Sequence, residues 1–339
     1  MTKPLVVLPR PLEDDFDVSD DAGPLKDVEL TVIETIEPGN SALLQAEILV
    51  NGIGDQKVSG ARLASAMPRL RWIHSMTAGV DGLLSGSLAE RGILVTNGAS
   101  AYAPAIAEYA FAAMTLLARD LPGHLVAGRR GEWSGHQLGG ELFGKRLGIV
   151  GFGGIGRSLA RICIGAGMSV WGLRRTTSGE PAPAERLLGP EQLHELLAAC
   201  DFVVLAASLN PSSRGLIGRA ELEVMKPGAF LINVSRGALV DEPALAEALR
   251  SDRLAGAMID VTTVEPLPAD SQLWKLPNLW ITPHLAGGTR ESRNRALAVL
   301  EQNLTLYLAG RHDEMTNVVD VAHELGLDAA HEPFKGDRC

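Results

Sequence analysis

The chain has little of what several functional classes are built from. Among 339 residues there are three cysteines, Cys163, Cys200 and Cys339, with no paired or metal-ligand spacing. This argues against a disulfide scaffold. Cys163 and Cys200 fall in apolar helical stretches and read as packed thiols of a reducing cytoplasm. The eight histidines are scattered, with no H-x-H or H-E-x-x-H, so no metal site is expected. Positive charge is in deficit, with 31 Lys and Arg against 41 Asp and Glu and a formal net charge of -10. That argues against a general nucleic-acid or anionic-membrane binder. No segment approaches the ~20 apolar residues needed to span a bilayer. The opening MTKPLVVLPRP has too short an apolar run for a signal peptide. A cytoplasmic protein with neither membrane nor nucleic-acid partners is expected.

What is present is a globular composition, 46% hydrophobic and 21% charged, in a chain long enough for two domains. Short apolar runs alternate with helical stretches. Leu5–Leu8, Val28–Ile33, Ile48–Val50, Trp72–Ser75 and Ile93–Thr96 read as strands, and Ala61–Ala66 as a helix. This predicts a small α/β unit with a parallel sheet. Asn97–Pro104 reads as a hinge. A long apolar helix over Ile106–Arg119 suits burial between domains or a subunit contact. Pro122–Gly144 reads as irregular. The acidic stretch Glu13–Asp17 and the polar tail after Leu325 read as solvated.

The segment Lys145–Leu173, KRLGIVGFGGIGRSLARICIGAGMSVWGL, organises the second half. Leu147–Val150 suits a buried strand, Arg157–Ala166 a helix, and Ser169–Leu173 a second strand. Between them lies Gly151-Phe152-Gly153-Gly154-Ile155-Gly156, a G-x-G-x-x-G turn. Gly151 permits the tight turn, Gly153 lets backbone approach a pyrophosphate, and Gly156 lets helix pack on strand. The helix N-terminus offers N–H groups and partial positive charge to phosphates. The bland alternative is a glycine-rich turn in an ordinary core, but the strand–turn–helix–strand context favours dinucleotide binding. Further strands are expected at Phe202–Ala206, Ala229–Asn233, Ala257–Val261 and Leu279–Thr282, with helices over Glu191–Cys200, Glu242–Ser251 and Arg290–Leu308 and a loop over Asn210–Arg219. Asp241 is a cap candidate. These make a six-stranded doubly wound sheet, whose ligand sits beyond the strands' carboxyl ends.

Three polar residues follow strand ends in that sheet: Arg236, Glu265 and His284. Singly, each has a bland reading as a surface or turn residue. Together, in a dinucleotide fold, they point to chemistry at the cofactor edge.

With them the sequence resembles the D-isomer-specific 2-hydroxyacid dehydrogenases over nearly its whole length. The resemblance is carried by GFGGIGRSLA, INVSRGALVDEPALAEAL, GAMIDVTTVEPLP and ITPHLAGGT, and upstream by WIHSMTAGVDGLL and VTNGASAYAPAIAEYAFA. The WIHS-x-x-AGVD form is most similar to the glyoxylate and hydroxypyruvate reductase branch. The resemblance implies two Rossmann-like α/β domains, the cofactor domain (99–287) inserted into the substrate-binding domain (1–98 and 288–339), and a homodimer formed through the helix near Ile106–Arg119. It also implies residue roles. Arg236 would hold the substrate carboxylate and polarise the keto oxygen, as its planar fork allows. His284 would donate the proton, and Glu265 would favour its imidazolium and fix the ring. Backbone N–H groups at Ala78 and Gly79 would hold the carboxylate from the other domain. Asp260 would bind the nicotinamide amide, and Ala207, Ser208 and Val234 would line the cofactor. Side-chain selectivity would come from residues such as Met76 and Trp133. One departure is Ala206-Ala207-Ser208-Leu209, where the family usually has an apolar residue and proline.

The cofactor can be read further. An acid about 20 residues past the first glycine normally binds the adenosine ribose. Here Ser169–Leu173 runs into Arg174-Arg175-Thr176, which suits a 2′-phosphate. NADP(H) is favoured, with NAD(H) as the alternative. The expected activity is reduction of a small 2-oxo acid such as glyoxylate or hydroxypyruvate to its D-2-hydroxy acid, and the reverse. The alternatives are a phosphoglycerate dehydrogenase-like enzyme and a dinucleotide-sensing regulator or corepressor on the same fold. A formate dehydrogenase relative would carry glutamine where Glu265 stands.

Overall fold

The structure is a computed structural model that describes residues 3–9, 24–33, 35–37, 39–52, 58–133, 139–175 and 183–327. Glu13–Asp17, Thr176 and the tail from 328 onwards lie outside the described residues. The chain forms two compact units, one of Met1–Tyr102 with Thr289–Cys339, the other of Ala103–Gly288.

The first unit holds strands β1 (Leu5–Pro9), β2 (Glu29–Ile33), β3 (Ile48–Asn51), β4 (Trp72–Ser75) and β5 (Leu94–Asn97). They pair in parallel in the order β2-β1-β3-β4-β5. Every residue of β4 is buried, as expected when helices cover both faces of a parallel sheet. Leu43, Leu49, Leu63, Ile73 and Leu88 fill the core. Each such side chain contributes about 1.5–3 kcal/mol by leaving water.

The second unit holds β6 (Arg146–Val150), β7 (Ser169–Leu173), β8 (Arg186–Leu188), β9 (Phe202–Leu205), β10 (Ala229–Asn233), β11 (Leu254–Ile259) and β12 (Leu279–Ile281). Their order is β12-β11-β10-β9-β6-β7-β8, and every pair is parallel. This is the Rossmann-like, doubly wound arrangement. The strand order reverses between β6 and β9, which places a crevice beyond their carboxyl ends. The core gathers around Leu196, Val203, Leu231 and Leu245. Cys163 and Cys200 are buried within this unit, and loss of hydration pushes both thiols up to about 12.

Several expectations are corrected. Among the described residues the sheet has seven strands, not six, because β8 adds to its edge against β7. The expected hinge at Asn97–Pro104 is mostly helix: Ala99–Ala118 is continuous, with Pro104 inside it. A proline near a helix start removes one ladder N–H but need not stop the helix. This helix is 20 residues long and apolar enough by length and composition to cross a membrane, against the expectation that no segment approaches that. Within it, 61% of the most apolar window is buried inside the protein, which is the burial of a core helix. Leu121–Arg129 is a helix within the stretch expected to be irregular. Ser41–Gln45, Gly86–Glu90 and Arg219–Val224 are short helices that the apolar spacing did not mark. Asp241 does cap its helix, accepting a hydrogen bond from Ala244 N at 2.9 Å.

Candidate active site

The glycine turn follows β6 directly. Gly151 has φ +98°, and a Cβ there would lie 2.4 Å from Ala207 N. Gly156 would meet Gly151 O at 2.6 Å. Both are therefore glycine because the protein's own backbone leaves no room. Gly153 differs: a Cβ on it would meet nothing within 4 Å. It is the N-cap of the helix Gly154–Gly165, in a non-left-handed conformation with φ -87°. Gly154 and Ile155 open that helix. The space beside Gly153 and the exposed N–H groups are what a pyrophosphate needs. The residues present therefore fit a dinucleotide. Past β7, Arg174 donates its backbone N–H to Leu188 O at 3.0 Å, and Arg175 is exposed. Among the described residues, no acid stands at that strand end. Across the crevice, Val234 is buried at the end of β10 and donates its N–H to Leu205 O. Ser235 Oγ donates to Ala207 O, tying the two cofactor-edge loops together. Ser208 O accepts from Ser213 Oγ at 2.7 Å.

The three strand ends β10, β11 and β12 lie side by side, and each carries one predicted residue. Beyond β10, the Asn233 side chain accepts from Ser235 N at 3.1 Å and donates to Arg236 O at 2.9 Å. This fixes the turn that presents half-buried Arg236, whose guanidinium also donates to Ser235 O at 2.8 Å. Beyond β11, Glu265 Oε1 accepts from Thr262 N at 3.1 Å. Its Oε2 lies 2.8 Å from His284 Nδ1. With Nδ1 engaged by the carboxylate, Nε2 is the nitrogen left to meet a ligand. Glu265 and His284 keep 33% and 48% of their side-chain surface exposed, so the pair faces solvent.

His284 sits in the left-handed region at φ +54°, a costly conformation for a residue with a side chain. Asp260 holds it there. Its carbonyl accepts from His284 N at 2.7 Å. Its carboxylate accepts from Leu285 N at 3.0 Å and Ala286 N at 2.8 Å. Thr282 Oγ1 donates to Oδ1 at 2.5 Å. Asp260 was expected as a nicotinamide ligand. Three of its roughly four acceptor positions serve the His284 turn instead, which leaves one for a ligand amide.

In the other unit, Ala78 and Gly79 follow β4. The neighbouring carbonyls are occupied: Gly98 N donates to Thr77 O, Asn97 Nδ2 to Ala78 O and Thr77 Oγ1 to Gly79 O, each within 3.0 Å. Among the described residues, the N–H groups of Ala78 and Gly79 donate to no protein acceptor. Successive free N–H groups of this kind suit an anion. Met76, a selectivity candidate, is 1% exposed and packs in the core, which removes it from that role. Trp133 is 97% exposed.

Residues 111–286 match the family described as D-isomer specific 2-hydroxyacid dehydrogenase, NAD binding domain. The glyoxylate reductase of Pyrococcus furiosus is 37% identical over 257 residues, covering 72% of this chain and 74% of that protein. The chain belongs to the D-isomer-specific 2-hydroxyacid dehydrogenase family. It is thus an NAD(P)-dependent dehydrogenase acting on a small 2-oxo or 2-hydroxy acid. A family member from Xanthobacter autotrophicus Py2, solved with NADPH and MES, superposes with a TM-score of 0.79 at 27% identity, covering 96% of this chain and 100% of that one. The D-lactate dehydrogenase of Aquifex aeolicus, solved with NAD and lactic acid, gives 0.77 at 27% identity, covering 93% and 98%. Relatives of this shape thus hold either cofactor.

Sequence reasoning missed Tyr109, whose hydroxyl lies 2.5 Å from Thr282 Oγ1, and the anchoring role of Thr282. Both stand inside quoted motifs, but 173 residues separate them, and no local spacing pairs them.

Proposed function

We propose that the enzyme reduces a glyoxylate- or hydroxypyruvate-like 2-oxo acid to its D-2-hydroxy acid, with NADPH as preferred donor, and runs the reverse oxidation. The observation that carries this is the Glu265–His284 pair, 2.8 Å apart on a clamped turn beside the strand end of Arg236. The identity to a glyoxylate reductase supports the substrate class.

The unit of Ala103–Gly288 would take the cofactor: Gly153, Gly154 and the helix N-terminus would hold its pyrophosphate, with Gly151, Ile155 and Gly156 completing the turn. Val234, Ala207 and Ser208 would line it, and the open acceptor of Asp260 would be left for its amide. Arg174 and Arg175, with Thr176, favour a 2′-phosphate over a bare ribose. Bound there, the nicotinamide supplies the hydride. Arg236 pairs with the substrate carboxylate and polarises the keto oxygen. His284 delivers the proton to that oxygen from Nε2, while Glu265 stabilises the imidazolium and holds the ring. Separately, Ala78 and Gly79 offer N–H groups to a carboxylate.

Initial rates over a panel of 2-oxo acids with NADPH and with NADH test the proposal. Two- and three-carbon acids with NADPH should give the highest kcat/KM. Turnover confined to larger acids, or faster with NADH, would refute the corresponding half. A homodimer is also proposed. Leu125 and Phe143, 65% and 75% exposed, are apolar surface near the helix expected at the contact. A monomeric mass in sedimentation would refute it.

A further inference from the structure

The helix Ala99–Ala118 is apolar along most of its length, yet it places one phenol against the sheet edge that carries His284. Tyr109 is half-buried, and its hydroxyl lies 2.5 Å from Thr282 Oγ1. Thr282 Oγ1 lies 2.5 Å from Asp260 Oδ1. The proton order in this chain is fixed by elimination. The Asp260 carboxylate already accepts from two backbone N–H groups, Leu285 and Ala286, which can only donate. A hydroxyl facing that carboxylate gives it its single proton. Thr282 therefore has only a lone pair left for Tyr109, and Tyr109 is the donor. Burial pushes the phenol up to about 12, so it stays protonated across the enzyme's working range.

Asp260 is 2% exposed and touches the His284 turn through four bonds, one from its carbonyl side and three to its carboxylate. We propose that Tyr109 is a positioning residue for the proton donor: its hydroxyl orients Thr282, Thr282 orients the Asp260 carboxylate, and Asp260 sets the turn that presents His284. The proposal rests on the assignment of His284 as the proton donor. A bland alternative is that Tyr109 only fastens the helix to the sheet. The two differ in what they change: fastening alters stability, positioning alters the proton-transfer step.

Tyr109→Phe keeps the ring and deletes the hydroxyl. Its kcat for 2-oxo acid reduction should fall about three- to ten-fold, the range one neutral hydrogen bond spans. KM for the 2-oxo acid should stay within about two-fold, and the solvent deuterium isotope effect on kcat should rise. Thr282→Val breaks the chain at its middle and should lose at least as much. Thr282→Ser should recover most of that loss. In the Thr282→Val background, Tyr109→Phe should cost nothing further, because coupled residues are not additive. Thermal melts define the folded fraction. A wild-type kcat in Tyr109→Phe, whether or not its Tm falls, overturns the proposal, as does a loss that simply adds to that of Thr282→Val. His284→Asn separates the two readings. If it is inactive while Tyr109→Phe is at wild-type rate, only the Tyr109 proposal fails. If His284→Asn is fully active, the proton-donor assignment fails and the proposal with it.

Discussion

Gly153→Ala separates the fold's needs from the ligand's. Of the three motif glycines, Gly151 and Gly156 are required by protein backbone 2.4 Å and 2.6 Å from where a Cβ would stand. Gly153 has nothing within 4 Å and φ -87°, which an L-residue adopts. Replacing it removes glycine freedom from the unfolded chain, worth about 0.4–1 kcal/mol in favour of folding. It also puts a poorer residue at an N-cap, which costs about as much. The ligand-free protein should therefore melt within about 4 °C of wild type. The methyl instead occupies the space assigned to the pyrophosphate. Cofactor affinity should fall at least about ten-fold, or about 1.4 kcal/mol. Gly151→Ala is the opposite control. Positive φ costs about 1–3 kcal/mol and overpacking a similar amount, so the fold itself should weaken. The assay is thermal unfolding without ligand, followed by titration of NADPH fluorescence. A Gly153→Ala protein that binds NADPH within two-fold of wild type would refute the placement of the pyrophosphate. One that melts far lower would refute the packing argument.

Other outcomes are expected. Glu265→Gln keeps the acceptor for Thr262 N but removes the charge beside His284. That carboxylate lies 2.8 Å from His284 Nδ1, so kcat for reduction should fall by about two- to five-fold, what a part-exposed pair supplies; a wild-type kcat sinks the role of Glu265. Arg174→Ala should weaken NADPH by about ten-fold or more and NADH by far less, since only a 2′-phosphate loses a charge-assisted partner; equal losses for both cofactors would end that reading. His74 is fully buried, and desolvation holds it down at about 4 against an ordinary 6.5. The unfolded chain therefore takes up this proton between pH 6.5 and 4 and the folded chain does not. Stability from this source is complete above 6.5 and lost as pH falls to 4, by up to about 3 kcal/mol. Urea unfolding at pH 7 and pH 4.5 should show a smaller acid loss in His74→Asn than in wild type; equal losses would contradict it.

What the sequence reveals depends on how local the cause is. The strand–turn–helix–strand unit around Gly151 is readable because short-range sterics put glycine where backbone crosses backbone. The strand ends of Arg236, Glu265 and His284 are readable because alternation locates the strands and topology does the rest. β8 is not readable: Arg186–Leu188 has three residues, too few for a period, and exists as a strand only because Leu173 and its neighbours pair with it. The start of the helix at Ala99 is masked by Pro104, whose local signal is overridden once the apolar faces are buried. Met76 directly follows β4, and only tertiary packing shows that it is buried in the core. The anchors are the least legible part, because Thr282, Asp260 and Tyr109 meet across long separations and none has a distinctive local pattern.

These anchors explain how an exposed histidine can hold a defined geometry. Asn233 ends β10 and Asp260 directly follows β11; they are 1% and 2% exposed. Each is a polar residue where the core would otherwise take an apolar one; Asn233 accepts from Ser235 N in the loop beyond β10, and Asp260 accepts from Leu285 N and Ala286 N in the loop beyond neighbouring β12. Unpaired, either would be a liability of a few kcal/mol. Paired, each converts a flexible connection into a rigid one. Asp260 additionally supports the positive φ of His284, a conformation glycine would adopt without cost but which glycine could not use for proton transfer. The turn thus keeps a residue with a side chain at positive φ, and the buried carboxylate supplies the bonds that hold it. Placing the restraint on strands that pair with one another ties His284 to the same sheet as the glycine turn.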